Sequence, residues 1–233
     1  MTDVMKKLLP LVATLLLATA CSTKNAEDPL EPYNRGMFQF NQAVDSYLLR
    51  PVAKGYRYVT PDGIRSRIGN ASDNLYEPVS MVNNFLQGDF TGGMNNFFRF
   101  MINSTIGLAG LNDVATSAGI PARQEDFGQT LAVWGVGSGP YIVLPLLGPS
   151  NLRDTGGMVG NWFLDPLTYA VDDTWTMVGI RTGQAVIMRE RLLDPIDDVY
   201  SSSLDPYASF RSIYNQRRAA QIKNLHSSNK PAL

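Results

Sequence analysis

The chain has 233 residues but only one cysteine, Cys21, and one histidine, His226. A single cysteine cannot form an internal disulfide, and one cysteine with one histidine is too few for a structural zinc site. His226 lies in a polar tail beside serine and asparagine, so a Ser-His-Asp or Cys-His site has no base in the folded body. We therefore expect neither a metal site nor a catalytic site of these two kinds.

Motifs for phosphate binding and ester hydrolysis are also missing. The segment GVGSGP, residues 135–140, lacks the spacing of a dinucleotide fingerprint and of a serine-hydrolase elbow, and no Walker lysine follows it. Adjacent carboxylates such as Glu125 and Asp126 remain, but neighbours on a helix point to different faces. A hydrolase that works through carboxylates alone is a minor alternative. The sequence predicts a binding or transport protein that is not an enzyme and uses no cofactor.

Positive charge is scarce through the middle of the chain. From residue 68 to residue 180 the only basic residues are Arg99, Arg123 and Arg153, and the net charge of the whole chain is −1. Without a basic face, nucleic-acid binding is not expected. A charge-poor middle fits either a large apolar core or a body immersed in lipid, where charges are costly. Composition alone leaves both explanations open.

Long hydrophobic runs are absent after the N-terminal segment, and the apolar residues follow a helical period. Asn34 is expected to cap a first helix that stops before Pro51. A second helix is expected to begin near residue 61, and a third at Glu77 with Pro78 in its first turn. The clearest helix follows Asp89. Its apolar face consists of Phe90, Met94, Phe97, Phe98, Met101 and Ile102. Later helices are predicted over residues 124–134, 150–162, 173–193 and 205–223.

One segment departs from the helical pattern, GVGSGPYIVLPLLGPSNLRDTGG over residues 135–157. Gly135, Gly137 and Gly139 free the backbone, Pro140 stiffens the adjoining residues, and Pro145 interrupts the β-rich stretch YIVLPLL. Long non-helical excursions inside helical domains are usually functional or bound to a partner. We expect residues 135–140 to be a hinge or gate with YIVLPLL as its apolar flap. A glycine-rich turn needed only for packing is an equal alternative.

Residues 1–20 are predicted to be a bacterial secretory signal peptide. Two lysines precede thirteen uncharged residues, a run that is too short to span a bilayer and that ends in small residues. The sequence ATAC then resembles a lipobox, although Ala18 stands where leucine is usual. We expect cleavage before Cys21 and acylation of that cysteine, so that residues 21–30 form an anchored linker. A buried helix with a core cysteine is the alternative. Ser22, where an aspartate would retain the protein in the inner membrane, predicts sorting to the outer membrane.

Five segments together resemble the MlaA/VacJ lipoproteins. They are DPLEPYNRGMFQFN (28–41), EPVSMVNNFLQGD (77–89), RFMINSTIGLAGLNDVA (99–115), EDFGQTL (125–131) and GPYIVLPLLGPSNLRDTGG (139–157). They stand in the order that the family has. The resemblance extends over nearly all of the chain from residue 21 to about residue 204. Residues 31–204 are therefore assigned to the family's helical domain, and residues 205–233 to a C-terminal helix with a polar tail.

The resemblance implies a mainly α, compact, ring-like domain in the inner leaflet of the outer membrane of a Gram-negative bacterium. It implies removal of mislocalised phospholipids from the outer leaflet through an amphipathic channel. The implied partners are phospholipid, a trimeric outer-membrane porin, and a soluble periplasmic lipid carrier that feeds an inner-membrane ABC transporter. A porin-bound structural scaffold without a lipid path is the alternative. The residues that we place on the lipid path or the membrane face are Phe97, Met101, Asn103, Tyr141, Leu144 and Leu146.

Overall fold

A computed structural model describes residues 28–228, with side chains through residue 223, and confirms the mainly α class. The elements before the hairpin are α1 (Glu31–Val44), a π-helical turn (Asp45–Leu49), α2 (Arg50–Val59), α3 (Asp62–Leu86), α4 (Phe90–Thr105), α5 (Val114–Ser117) and α6 (Phe127–Val133). The hairpin and the elements after it are β1 (Tyr141–Leu144), β2 (Gly148–Asn151), α7 (Leu152–Leu164), α8 (Leu167–Ala170), α9 (Thr174–Arg191), α10 (Leu193–Ser202) and α11 (Pro206–Ser228). None of the described helices is long and apolar enough to cross a membrane.

The first helix differs from the prediction at both ends. α1 begins at Glu31, so Asn34 lies inside the helix, where its buried side chain contacts the hairpin instead of capping. The helical chain does not stop before Pro51 either, because it widens into the π turn and continues as α2 with Pro51 in the first turn. The missing N–H of a proline is tolerated there, since the regular ladder of hydrogen bonds is already interrupted.

The second and third predicted helices are one continuous helix, α3, with Pro78 in its interior. The helix survives the proline because α3 packs along α4, and polar side chains tie the two together. Arg99 of α4 donates from Nε to Oε1 of Glu77 at 2.8 Å, and both side chains are buried. α4 itself begins where the sequence predicts, with Asp89 Oδ1 accepting the Gly92 N–H at 2.8 Å as an N-terminal cap.

The later helices follow the predicted ranges with shifted ends. The ranges 124–134, 150–162, 173–193 and 205–223 correspond to α6, α7, α9 and α11, whereas α5, α8 and α10 are not predicted. α11 contacts α6, β2 and α10, so the C-terminal helix is part of the same packed body.

Residues 141–151 form a β-hairpin, so the glycine- and proline-rich segment departs from the helical pattern as predicted, and this part of it is a regular pair of short strands. β1 and β2 are antiparallel, with Tyr141 opposite Asn151 and Leu144 opposite Gly148. Pro145 lies in the three-residue turn between the strands, where it interrupts no pairing. A small core forms around the hairpin. It consists of Tyr141, Val143 and Tyr207, with Met37, Phe38 and Tyr214 packed against them.

Candidate functional site

The distribution of apolar side chains is opposite to that of an ordinary water-soluble domain. Among the described residues, twenty-two polar or charged residues are buried but only seven apolar ones. Large apolar side chains lie on the outside instead, for example Phe90, Trp162 and Trp175, the last of which is 81 % exposed. Hydrocarbon around a protein requires polar groups to be satisfied internally. The described residues therefore do not form the large apolar core that was one explanation for the charge-poor middle, and the exposed apolar side chains fit the other explanation, a membrane-associated body.

The three arginines of the charge-poor middle all have carboxylate partners. Arg99 pairs with Glu77 at 2.8 Å, Arg123 with Asp89 at 2.7 Å, and Arg153 with Asp154 at 2.9 Å. The pairs of Arg99 and Arg153 are buried, and breaking a buried pair leaves an uncompensated charge, which is strongly destabilising. These arginines support the fold of a polar interior and do not form a positively charged outer face.

Two asparagines of α1 hold the edge of the hairpin through its backbone. Asn34 donates to the Tyr141 carbonyl at 3.1 Å and accepts the Val143 N–H at 2.8 Å. Seven residues later, on the same face of the helix, Asn41 donates to the Leu144 carbonyl at 2.8 Å and accepts the Leu146 N–H at 2.7 Å. Each side-chain amide thus pairs with the edge of β1 as a neighbouring strand would. Sequence reasoning missed this role, although the spacing of two asparagines by seven residues is a signal for it.

The tip of the hairpin is strained and apolar. After Pro145, Leu146 has a backbone φ of 64°. A type II turn has a positive φ at this place and normally uses glycine. A leucine in the left-handed region costs about 1–2 kcal/mol, and here the side chain is 64 % exposed. Strain of this kind concentrates at functional segments.

A cavity of about 490 Å³, which we call the hairpin cavity, lies between the hairpin, α1, α9, α10 and α11. Its volume is within the range of about 300–1,000 Å³ that is usual for small-molecule sites. Its walls are mostly apolar. Among the lining residues are Phe38, Val44, Val143, Leu146, Leu147, Met188, Ile196 and Phe210. The polar side chains in its wall include Asp45 and Arg189, which are joined by an ion pair of 2.6 Å.

A polar pocket of about 320 Å³ adjoins the hairpin cavity. Gln42, Asp45 and Tyr200 line both spaces, so they form the partition between them. The remaining lining residues of the polar pocket are Ser46, Arg50, Asp197 and Ser201. An apolar space beside a polar one is an arrangement that suits an amphipathic molecule.

The predicted hinge, residues 135–140, connects α6 to β1. Gly135, with φ of 89°, closes α6: its N–H bonds to the Ala132 carbonyl, and the Val136 N–H bonds to that of Leu131. Gly139 has φ of 66°, and a side chain there would begin 3.0 Å from Leu152. Gly137 has open space around it.

The far end of this segment is attached to the start of α7. The carbonyls of Ser138 and Pro140 accept the N–H groups of Arg153 and Leu152 at 3.1 and 3.2 Å. The mobile part of a gate would therefore have to lie around Gly137, between a capped helix end and these two hydrogen bonds. Gating by residues 135–140 stays a prediction.

A second cavity, of about 420 Å³, is lined by Gly139, Tyr141, Arg153 and Arg218, among others. Arg218 bridges two carboxylates beside it, Asp126 at 2.6 Å and Asp154 at 2.8 Å. Burial alone would raise the pKa of Asp154, but hydrogen bonds from Arg218 and Tyr214 outweigh it and lower the pKa. Asp154 is therefore ionised at neutral pH and acts as an anchor for α11.

The structure separates the residues that were placed on the lipid path or membrane face. Phe97 and Met101 are exposed on α4, and Leu146 lies at the hairpin tip in the wall of the hairpin cavity. Asn103 is buried, where it donates to Asp113 and accepts the Ala115 N–H, and Tyr141 is buried in the core. These two do not face the outside of the molecule. Leu144 is partly buried. Cys21 lies outside the described residues.

Comparison with known proteins agrees with this geometry. A profile described as MlaA lipoprotein matches residues 26–221. The chain belongs to the MlaA lipoprotein family. It is 41 % identical over 217 residues to the Escherichia coli K12 intermembrane phospholipid transport system lipoprotein MlaA, covering 90 % of this chain and 85 % of that protein. The Haemophilus influenzae protein of the same name is 34 % identical over 231 residues, covering 94 % of this chain and 91 % of that protein.

A solved structure of a family member has the same fold. It comes from work on the structural basis for maintenance of bacterial outer membrane lipid asymmetry and superposes with a TM-score of 0.73 at 40 % sequence identity. The match covers 84 % of this chain and 98 % of the solved chain. An uncharacterized protein of Rickettsia typhi is also similar, 38 % identical over 197 residues, which are 84 % of this chain and 78 % of that protein.

Proposed function

We propose that this MlaA family protein removes mislocalised phospholipids from the outer leaflet of the outer membrane and so maintains the asymmetry of that membrane. The observation that carries the proposal is the inverted polarity of the molecule, an apolar outside around a polar interior. A body of this kind can lie in a membrane and still offer polar surfaces to a lipid head group. The names of the Escherichia coli and Haemophilus influenzae relatives describe phospholipid transport, which supports the same function here.

The path needs apolar walls for acyl chains and polar groups that bind the head group weakly enough to release it. The hairpin cavity and the adjoining polar pocket have these two characters. The strained hairpin tip around Leu146 lies in the cavity wall, where a change of conformation would alter access. No covalent chemistry is needed for this transport.

A bacterial strain that lacks this protein, the deletion strain, tests the function. Restoring this protein should return outer-leaflet phospholipid to the normal low level, and the purified protein should carry co-extracted phospholipid. A porin-bound scaffold, the alternative function, would carry no lipid. An enzyme would release fatty acid or lysolipid from labelled phospholipid, which a channel does not. Failure of the restored strain to clear the outer leaflet would contradict the proposal.

We further propose that the protein works with a trimeric porin and with a soluble periplasmic carrier that feeds an inner-membrane ABC transporter. The exposed apolar surface supplies area for both lipid and porin. Labelled phospholipid loaded on the reconstituted protein–porin complex should move to the added carrier. If the carrier gains labelled phospholipid equally fast from a sample with the porin but without this protein, this protein has no place between membrane and carrier.

Anchoring at the periplasmic leaflet of the outer membrane is part of the proposal. Cys21→Ala should leave an uncleaved or mislocalised protein, and Ser22→Asp should retain an otherwise intact protein in the inner membrane. Mass spectrometry of the mature N-terminus and membrane fractionation measure both effects. Unmodified wild-type protein in the soluble periplasmic fraction would contradict the anchor.

A further inference from the structure

Arg189 of α9 is buried in the wall of the hairpin cavity with part of its hydrogen-bonding capacity unused. The residue is 6 % exposed. Its Nε and Nη2 donate to the two carboxylate oxygens of Asp45 at 2.6 and 2.9 Å, and Nη2 lies 3.7 Å from Asp197. Its Nη1 is buried and has no hydrogen-bond partner among the described residues. A guanidinium has five N–H donors, of which Nη1 carries two.

An unpartnered buried donor is costly and needs an explanation in a native structure. The pair with Asp45 already fixes the guanidinium plane, so no further contact is required to orient the side chain. An acceptor that arrives with a ligand would satisfy Nη1 and remove the cost. Oxygens of a phosphodiester are good acceptors for this purpose, because arginine forms charge-assisted hydrogen bonds with phosphate.

The charges around Arg189 favour an anionic ligand. Arg189 and Arg50 pair with Asp45 and Asp197, and Lys54 lies 3.8 Å from Asp197. Three cations thus face two carboxylates, so these five side chains together carry a net charge of +1. The cluster also lies at the partition between the hairpin cavity and the polar pocket, since Asp45 lines both and Arg50 and Asp197 line the pocket.

We propose that Arg189 binds the phosphate group of a phospholipid through Nη1, with an acyl chain in the hairpin cavity and the remainder of the head group in the polar pocket. Because Nη1 has no accessible surface in this conformation, the side chains that cover it must move aside when the phosphate binds. The proposal rests on phospholipid transport as the function and names the binding site for that lipid. Asp45 has a positioning role, because its two hydrogen bonds hold the guanidinium in place. The neutralising contact with Asp45 also limits the attraction for phosphate, which suits a site that must release its lipid.

The test compares two lipids with the same acyl chains, dioleoyl phosphatidylglycerol and dioleoylglycerol, which lacks the phosphate. The full-length protein in detergent is incubated with each, and retained lipid is measured by mass spectrometry after gel filtration. The wild type should prefer the phospholipid by about tenfold or more, and Arg189→Gln should reduce this preference to within about twofold. Arg189→Lys, which keeps a positive charge opposite Asp45 but loses the second donor arm, should have an intermediate preference.

Arg191→Gln is the matched control. Arg191 is on the same helix and makes the same kind of two-armed pair, with Asp73 at 2.9 and 3.0 Å. It lines neither the hairpin cavity nor the polar pocket. This variant should keep the full preference. Ala185→Trp, which places a large side chain in the hairpin cavity, should lower the retention of both lipids.

Three results would overturn the proposal. An unchanged preference in Arg189→Gln would show that Arg189 does not bind the phosphate. It would leave the proposed function standing, because that function is tested separately by the wild-type protein in the deletion strain. Normal retention of both lipids by Ala185→Trp would place the acyl chain elsewhere. Displacement of the phospholipid by millimolar inorganic phosphate would identify a site for a free ion instead of a lipid head group. If Arg189→Gln does not fold, Arg189→Lys and Ala185→Trp decide the question.

Discussion

Single buried carboxyls show how this protein tolerates charge in its interior. Glu125 is buried before α6, and burial raises its pKa to about 7, because the hydrogen bond from Gln87 and the charge of Arg123 only partly offset the loss of water. Its neighbour Asp126 instead caps α6 by accepting the Gln129 N–H at 2.9 Å and pairs with Arg218. Two adjacent carboxyls therefore have opposite effects on stability.

Glu125→Gln should stabilise the protein at alkaline pH. Because the folded-state pKa is about 7 and the ordinary value is 4.5, the folded protein binds the proton more tightly, and the free energy of unfolding falls as the pH rises through this window. The variant removes the fall, so at pH 8 it should be more stable by about 1–3 kcal/mol, with little difference at pH 4.5. Thermal unfolding in detergent at the two pH values measures this.

Asp126→Asn is the control for this prediction. It loses a charged cap and a partner of Arg218, so it should be less stable than the wild type at pH 8. A Glu125→Gln variant whose stability has the same pH dependence as the wild type would contradict the assignment of the raised pKa to this residue.

Among the structural elements, the hairpin, helix α1 beside it and the glycine segment 135–140 before it give predictions that can be tested separately. The outer edge of the hairpin is bound to α1 by Asn34 and Asn41, and the hairpin is preceded by the glycine segment 135–140. At the tip between the strands, the side chain of Asn41 accepts the Leu146 N–H. These contacts make separate predictions for the hinge and for the tip.

Substitutions at two glycines separate a gate from a packing turn. Gly137 has open space and no left-handed backbone, so Gly137→Val should leave abundance and porin association normal while it restricts the hinge and reduces phospholipid removal. Gly139→Val should lower abundance, because valine is strained at φ of 66° and meets Leu152. Outer-leaflet phospholipid is measured together with the protein level. An abundant Gly137→Val variant that clears lipid normally would count against the gate.

Asn41→Ala should loosen the hairpin tip without unfolding the protein. The Leu146 N–H loses its acceptor, so its hydrogen exchange should become faster by about tenfold, which corresponds to a local loss of about 1.4 kcal/mol. Asn34→Ala should instead lower the stability of the whole protein by about 2–4 kcal/mol, because it leaves the buried N–H of Val143 and the carbonyl of Tyr141 without their partner. Unchanged protection at Leu146 in Asn41→Ala would show that this amide does not hold the tip.

At the scale of the whole molecule, the inverted distribution of polarity predicts which solvent surrounds the protein. All three tryptophans are on the outside: Trp134 is 53 % exposed, Trp162 56 % and Trp175 81 %. A water-soluble protein of this size would rarely expose so much aromatic surface. Their surroundings can be measured directly.

Tryptophan fluorescence should therefore be quenched by brominated lipid chains and not by iodide dissolved in the water. In vesicles that contain phospholipids with brominated acyl chains, we expect strong quenching of the wild type and weak quenching by iodide, because the exposed rings contact hydrocarbon. Variants with Trp→Phe at two of the three positions report each site separately. Strong iodide quenching at all three sites, with no effect of the brominated chains, would contradict immersion in lipid.

Features that depend on neighbours a few residues apart were predictable from the sequence. These include the helical class, the start of α4 after Asp89, the approximate positions of α6, α7, α9 and α11, and the motifs that resemble the MlaA/VacJ lipoproteins. Such features depend on the helical period, on caps and on short motifs, which are local properties of the chain.

Features that depend on contacts between distant residues were set by tertiary packing. Pro51 and Pro78 end no helix, since local breaks are outweighed where helices continue through a π turn or pack along one another. The large apolar side chains of the charge-poor middle lie on the outside, because the polar side chains of the same region pair with one another inside. Arg189 meets Asp45 across 144 residues of chain, a separation at which no local pattern predicts which side chains share one wall of a cavity.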